Sequence, residues 1–224
     1  LLKILINGLH KSILKLKLIK FINNISMEIE QRLERLESKD AIKELASKYA
    51  LALDVRDLDS LVNLFHEDVR VGKKGRGRLA LKQWFNETLR NQFTGTSHHI
   101  GNQIIEFQND NNAIGIVYSK NEHETDKEWI IMQMMYWDQY EKIRGLWYFR
   151  KRLPLYWYAT DINKPPIGDL KMRWPDEDNY KGEFHTLWPT WKAFWSTNAV
   201  NDVSEPAPLN KFLEKNGVEK SIIE

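Results

Sequence analysis

The sequence predicts an α+β domain: a cone-shaped, curved antiparallel sheet packed against three N-terminal helices. Two changes of pattern along the chain predict it. Apolar side chains recur every three or four positions between residues 40 and 89, and they alternate with period two between residues 97 and 153. Helices followed by a run of strands are typical of a sheet that carries its helices on one face.

The helical part begins with an N-cap at Ser38 or Asp40. The first helix buries one apolar face and places Asp54 at the edge of that face, where Asp57 caps a second, short helix. A third helix is predicted over residues 79–89. The apolar face of the first helix is formed by Ile42, Leu45, Ala46, Tyr49, Ala50 and Leu53.

The sheet is predicted to be a meander of four long strands joined by hairpin turns. Polar runs rich in Asn, Asp, Thr and Gly separate the strands. A meander of this length curls, and the helices close it into a cone with an interior. The predicted strands are Ser97–Phe107, Ala113–Glu124, Glu128–Tyr140 and Leu146–Leu153.

The cone domain is predicted to span residues 27–154. The segments before and after it differ from it in amino-acid composition. Residues 1–26 carry five Lys and no acid, and we interpret them as upstream sequence translated in frame, with Met27 as the natural start. The alternative is an amphipathic membrane anchor, although so many lysines exclude a spanning helix. Residues 155–224 are rich in Trp and Pro and predict an extended wrap with short helices.

Composition excludes several classes of function. The chain has no Cys, which excludes disulfides, thiolate nucleophiles and Fe–S clusters and fits a cytoplasmic location. From residue 27 onward there are 28 basic and 31 acidic residues, so nothing supports nucleic-acid binding. No metal-binding H-E-x-x-H spacing and no phosphate-binding glycine motif occurs. We therefore predict neither a metal nor an organic cofactor.

Four polar residues in apolar surroundings are the catalytic candidates: Tyr49, Asp54, His98 and His123. Strand alternation puts His98 and His99 on opposite faces, so only one of them faces the interior. A histidine transfers protons near neutral pH, and a carboxylate on its other nitrogen fixes the tautomer. Two alternatives stay open: a helix-capping Asp54 with a structural His98, or a metal cluster of the histidines with Glu122 or Glu124.

Three motifs in this order resemble the SnoaL-like branch of the nuclear-transport-factor-like superfamily, over about residues 40–153. The resemblance implies a cone fold shared with scytalone dehydratase, ketosteroid isomerase and polyketide cyclases. The motifs are Tyr49-Ala-Leu-Ala-Leu-Asp54-Val-Arg-Asp57, His98-His-Ile-Gly-Asn102, and Tyr136-Trp-Asp-Gln-Tyr140 followed by Gly145-Leu-Trp-Tyr-Phe149.

The resemblance also implies roles for individual residues. In scytalone dehydratase-like members a helix-terminal Asp pairs with a His that opens the first long strand, and Asp54 and His98 match these positions. A second His on the next strand matches His123. The chain departs from that enzyme at a water-positioning Tyr, where it has Lys73, and at a Ser and an Asn on the third strand. The positions of that Ser and Asn are occupied by Met132 and Met134. The predicted substrate-binding residues are Lys73, Trp129, Met132, Met134, Tyr148 and Arg150.

The function predicted from these features is that of a cofactor-independent lyase or isomerase. The proton-transfer chemistry is dehydratase-like or retro-aldol-like. His98 is the general base and acid, Asp54 orients it, and Tyr49 and His123 polarise a substrate oxygen. The substrate is a hydrophobic aromatic, terpenoid or polyketide-like molecule in an apolar pocket. The alternative is a carrier or sensor that binds such a molecule without reaction. The resemblance further implies a homodimer or homotrimer that assembles through the sheet.

Overall fold

A computed structural model describes residues 2–174 and 184–196, together with residues 203, 205, 208, 209 and 223. The chain divides into two compact units, Leu1–Ala41 and Ile42–Glu224. Helix α1 runs from Leu2 to Asp54. The prediction that this helix begins at an N-cap near Asp40 is therefore wrong, because no Pro or Gly between residues 9 and 40 ends the helix.

Two further helices follow α1 in the second unit. Helix α2 (Leu58–Asn63) is capped by Asp57, whose carboxylate accepts a hydrogen bond of 3.0 Å from the Ser60 backbone N–H, as predicted. Helix α3 (Arg78–Gln92) buries an apolar stripe against the sheet, formed by Leu81, Phe85 and Leu89. No helix within the described residues contains a stretch that is both apolar and long enough to cross a membrane.

Four antiparallel strands form one curled, unclosed sheet in the order β1-β2-β3-β4. Arg144 and Gly145, with φ of 49° and 83°, form the tight turn between the last two strands. The α+β prediction is confirmed. The strands are β1 (Gly95–Phe107), β2 (Asn112–Glu124), β3 (Trp129–Ile143) and β4 (Leu146–Asp161).

The prediction that the fourth strand ends at Leu153 is wrong, since β4 continues through Pro154 to Asp161. Pro154 pairs with Tyr136 of β3, and β4 lies at the edge of the sheet. A proline is tolerated there because an edge strand needs hydrogen bonds on one side only. Residues 155–161, which were predicted to begin the extended wrap, therefore belong to strand β4.

The two faces of the sheet are covered by different parts of the chain. The inner face packs against α1, α2 and α3 through an aromatic and aliphatic core that includes Tyr49, Phe65 and Phe149. The outer face is buried under Phe184 and Leu209 from the C-terminal segment, which also contains helix α4 (Pro189–Ser196). The outer-face side chains in this second cluster are Ile114, Ile116, Met135, Trp137, Leu153 and Leu155.

Candidate active site

A carboxylate at the end of α1 meets an imidazole at the start of β1. The Nδ1 atom of His98 lies 2.7 Å from Oδ1 of Asp54, and the His98 backbone N–H donates to Oδ2 at 2.8 Å. The His98 side chain is 4% exposed and that of Asp54 is 22% exposed. His99 is exposed, as alternation along β1 requires for the neighbour of an inward-facing residue.

The carboxylate of Asp54 has a third donor. The Thr96 hydroxyl donates to Oδ1 at 2.9 Å, and the same hydroxyl oxygen accepts a bond of 2.7 Å from Nη1 of Arg56. Arg56 has a positive φ of 62° and is tied to the end of α1 by a 2.8 Å bond from Nη1 to the Leu53 carbonyl. The turn after α1 and the first residues of β1 therefore hold Asp54 in one orientation.

Asp54 is held in its charged form. Burial opposes ionisation, but the hydrogen bonds and the attraction from His98, together with the bond from Thr96, outweigh it and lower the pKa of Asp54 below its usual value. A carboxylate that accepts at Nδ1 fixes the proton of a neutral His98 on that nitrogen. Nε2 then carries the lone pair, and it makes no hydrogen bond to any described residue.

His123 of β2 lies beside the pair. Its ring centroid is 5.2 Å from that of His98 and 4.5 Å from that of Phe93. Burial, and secondarily repulsion from His98, lower the pKa of His123 to about 3, so its imidazole is neutral at physiological pH. Its Nδ1 atom is buried and has no hydrogen-bond partner among the described residues. An unsatisfied buried nitrogen of this kind is suited to a ligand.

Tyr49 connects the pair to the core of the sheet. Its ring lies edge-on to the His98 ring, with centroids 6.4 Å apart, and the Arg152 guanidinium lies 4.2 Å from the Tyr49 ring centroid. Burial is the main cause of the raised pKa of Tyr49, so the phenol keeps its proton. It can donate a hydrogen bond and cannot act as a base.

A buried ion pair lies behind Tyr49. Nε of Arg152 is 3.3 Å from Oδ1 of Asp138, and both side chains are fully buried. The guanidinium also contacts the rings of Tyr136 and Phe149, at 3.9 and 4.6 Å from their centroids. Burial raises the pKa of Asp138 to about 6, and attraction to Arg152 offsets only part of that effect.

Two of the predicted substrate-binding residues share the inner face with the pair. Met132 and Met134 are buried on β3, where Met132 is paired in register with Asn121 of β2. Asn121 itself pairs with His98 across the other edge of β2 and donates to the sulfur of Met134 at 3.0 Å. Both methionines therefore belong to the wall around the histidines.

The other four predicted substrate-binding residues lie elsewhere, and the structure shows no contact between any of them and Asp54 or His98 within the described residues. Lys73 lies in an exposed turn and Trp129 is 43% exposed at the start of β3. Tyr148 packs under Arg78, and Arg150 pairs with acids at the surface. Strand alternation and loop length do not reveal which end of the sheet a residue reaches.

A cavity of about 380 Å³ is lined by neighbours of the pair, although neither Asp54 nor His98 lines it. It touches the site through Arg56, which binds Thr96, and through Phe93, which packs on His123. The predicted pocket was apolar, whereas this cavity combines three apolar and three polar side chains. Its lining residues are Arg56, Leu58, Asn86, Leu89, Arg90 and Phe93.

Sequence reasoning missed Thr96, Arg56 and the cavity residues. Thr96 lies two positions before His98, so alternation places both on one strand face, and that signal could have found it. Arg56 follows Asp54 by two residues, but its role depends on a positive φ that the sequence does not reveal. Among the described residues, no three His, Asp or Glu side chains are grouped closely enough to hold a metal ion.

The SnoaL-like domain family matches residues 34–153, more than half of the chain, and the chain belongs to that family. A cone of this class has the curled sheet and N-terminal helices described above. No curated protein sequence matches the chain.

Solved structures with the same fold include enzymes named for elimination reactions. A protein from Novosphingobium aromaticivorans assigned as a scytalone dehydratase is 29% identical, with a TM-score of 0.51 over 60% of this chain and 96% of its own. The hexachlorocyclohexane dehydrochlorinase LinA is 25% identical, with a TM-score of 0.54 over 59% and 95%. LinA-type3 from Novosphingobium barchaimii is 22% identical, with a TM-score of 0.54 over 59% and 95%, and shows the fold alone.

Proposed function

We propose that the chain is a cofactor-independent lyase or isomerase that removes a proton from a hydrophobic small molecule, with His98 as the base. The observation that carries the proposal is the 2.7 Å contact between Nδ1 of His98 and Asp54, which leaves Nε2 available. A base ordered in this way is the requirement shared by eliminations and isomerisations that begin at a C–H bond.

Elimination is the favoured reaction. Of the two structurally similar proteins named above, one is assigned as a dehydratase and the other is named a dehydrochlorinase, and these names denote the loss of water and of hydrogen chloride. In an elimination, Nε2 takes a proton from carbon and the C–H electron pair becomes a C=C bond. The leaving group departs from the neighbouring carbon with its bonding electrons. If it is a hydroxide, the proton on Nε2 neutralises it as water, and the base is regenerated.

Asp54 has two roles in that sequence. Before proton transfer it keeps the proton of neutral His98 on Nδ1, and after transfer its negative charge stabilises the imidazolium. The lowered pKa of Asp54 supports both roles because the carboxylate is ionised throughout the working range of a histidine base. Thr96 and the His98 backbone N–H hold the carboxylate in position.

Tyr49 and His123 are the proposed donors to the substrate. Burial raises the pKa of Tyr49, so the phenol keeps its proton, and it lowers the pKa of His123, so that imidazole is neutral and carries one N–H. Both rings pack against His98. A neutral donor in a dry site stabilises negative charge that develops on a substrate or leaving-group oxygen. Met132 and Met134 supply adaptable apolar wall for an aromatic, terpenoid or polyketide-like skeleton.

The experiment is a turnover assay on a panel of apolar β-hydroxy ketones and alkyl chlorides, with mass spectrometry to detect loss of water or hydrogen chloride. His98→Gln should lower the rate of any converted compound by about two to four orders of magnitude. His99→Gln, on the exposed face of the same strand, is the matched control and should keep the wild-type rate.

Near-normal turnover by His98→Gln would overturn the assignment of the base. A wild-type protein that binds panel compounds tightly and returns all of them unchanged would favour the carrier or sensor instead.

A further inference from the structure

The cavity near the proposed catalytic pair is lined by two arginines and by no acid. Its volume of about 380 Å³ is in the range of small-ligand sites, which are about 300–1,000 Å³. Its lining combines three apolar side chains, Leu58, Leu89 and Phe93, with two arginines and an asparagine. A cavity that combines apolar side chains with two guanidinium groups is suited to an amphiphilic ligand with a negative end.

Neither arginine has a carboxylate within ion-pair distance among the described residues. Arg56 uses Nη1 for the Leu53 carbonyl and the Thr96 hydroxyl, and its other nitrogens bond to no described residue. Arg90 uses Nε for the side-chain oxygen of Asn86, at 2.8 Å. Most of the donors of both guanidinium groups are therefore available to a ligand.

The nearest acid does not neutralise this charge. Asp54 attracts Arg56, but its carboxylate already accepts from His98 and Thr96. Burial lowers the pKa of Arg56, which shows that its charge is partly desolvated. A partly desolvated cation that has no direct ion pair is stabilised by an anion, and the planar guanidinium matches a carboxylate in two parallel bonds.

The cavity is connected to the reacting groups through two of its lining residues, Arg56 and Phe93. Arg56 reaches Asp54 through one hydroxyl, that of Thr96. Phe93 packs on His123, whose ring packs on His98. Along the shorter of these two routes, the side chains of Phe93 and His123 lie between the cavity and the ring of His98.

We propose that the cavity binds the carboxylate of an apolar carboxylic acid through Arg56 and Arg90, with the carbon skeleton on Leu58, Leu89 and Phe93. This assignment rests on the proposed function in one respect only, namely that the bound acid is the substrate. It narrows the substrate class from hydrophobic molecules in general to hydrophobic carboxylates.

The test is a calorimetric titration of the full chain with 2-naphthoate and with the neutral isostere 2-naphthamide. Wild-type protein should bind the carboxylate about tenfold more tightly or better, because a hydrogen bond to a charged group is worth more than a neutral one. Arg90→Gln should lower the affinity for 2-naphthoate about threefold to tenfold and leave that for 2-naphthamide unchanged. Arg90 is exposed on α3, so this variant should fold normally.

Arg76→Gln is the control for net charge, because Arg76 lies in the exposed loop before α3 and does not line the cavity. It should leave both affinities at wild-type values. Equal affinity of the wild type for the two probes, or an Arg90→Gln affinity for 2-naphthoate equal to that of Arg76→Gln, would overturn the proposal. Turnover by His98→Gln decides the proposed function separately, since the titration requires no reaction.

Discussion

Asp138 with Arg152 and Asp54 with His98 each pair a carboxylate with a basic side chain, and the surroundings of these two pairs differ. Asp138 and Arg152 are both fully buried and packed against aromatic rings. Asp54 and His98 lie at the end of the sheet, where the carboxylate is 22% exposed and residues that contact the site line a cavity. The first pair is enclosed by the core, whereas the second has a ring nitrogen, Nε2 of His98, that makes no hydrogen bond to any described residue, and its neighbours Arg56 and Phe93 line a cavity. The two pairs differ mainly in whether a ligand could reach them, and this difference makes Asp54 and His98 the candidate catalytic pair.

Asp54→Asn gives the largest expected effect on activity. The amide keeps the shape of the carboxylate but loses its charge and no longer fixes the proton of His98 on Nδ1. Turnover should fall by about 10²–10⁴-fold, while the free energy of unfolding changes by about 1 kcal/mol. Turnover assays and urea denaturation of the same preparation check both values. A large stability loss with unchanged turnover would reverse the roles given to the two pairs.

At the other pair, Arg152→Met should act mainly on the free energy of unfolding. It leaves Asp138 buried without its cation, which costs about 3–5 kcal/mol in the free energy of unfolding. The double variant Arg152→Met with Asp138→Leu removes both charges and should recover much of that loss. Chemical denaturation of the three proteins measures this. Equal stability of the single and double variants would show that the ion pair contributes no specific coupling.

Burial of His123 makes the stability of the folded chain depend on pH. Its pKa of about 3 in the folded chain lies below the unfolded value of about 6.5, so the unfolded state binds more protons between those values. Its contribution to stability therefore falls as the pH falls from about 6.5 toward 3. Asp138, with a pKa raised to about 6, changes stability in the opposite direction.

The contribution of His123 is isolated by comparing His123→Gln with the wild type, since Asp138 is common to both proteins. Between pH 7 and pH 4, the wild type should lose about 1–3 kcal/mol more than the variant. Denaturation curves at several pH values give this difference. A difference that is independent of pH would mean that His123 is not buried in its neutral form.

Thr96→Val gives the smallest expected effect. It removes one of three hydrogen bonds to Asp54 and the link from Arg56, while both bonds from His98 remain. Turnover should fall by about threefold to tenfold, in line with about 1 kcal/mol for one hydrogen bond. Steady-state kinetics measure it. A loss as large as that of Asp54→Asn would show that Thr96 is required to hold the carboxylate in place.

The contrast between the pairs also explains what the sequence could predict. The period-two pattern placed His98 and His99 on opposite faces, and the helical period placed Asp54 at the edge of α1. Both inferences need only local geometry. The α+β class and the strand order of a meander follow from the same patterns.

The orientation of Arg152 towards the inner face could not be predicted from strand alternation. Alternation from the inward-facing Phe149 points to Lys151 as the next inner residue. In the structure Tyr140 pairs with Phe149 and Asp138 with Arg152, so a bulge around Arg150 shifts the register by one residue and brings Arg152 to the inner face. The cavity was likewise beyond reach, because it depends on how α2 and α3 lie against β1 and on the positive φ of Arg56.

The most direct measurement of the central claim is the tautomer of His98, read from ¹⁵N chemical shifts of labelled protein at a pH where the ring is neutral. A base oriented by Asp54 must carry its proton on Nδ1 and a lone pair on Nε2, and Asp54→Asn should abolish that preference. A proton found on Nε2, or the same mixture of tautomers with and without the carboxylate, would contradict the account.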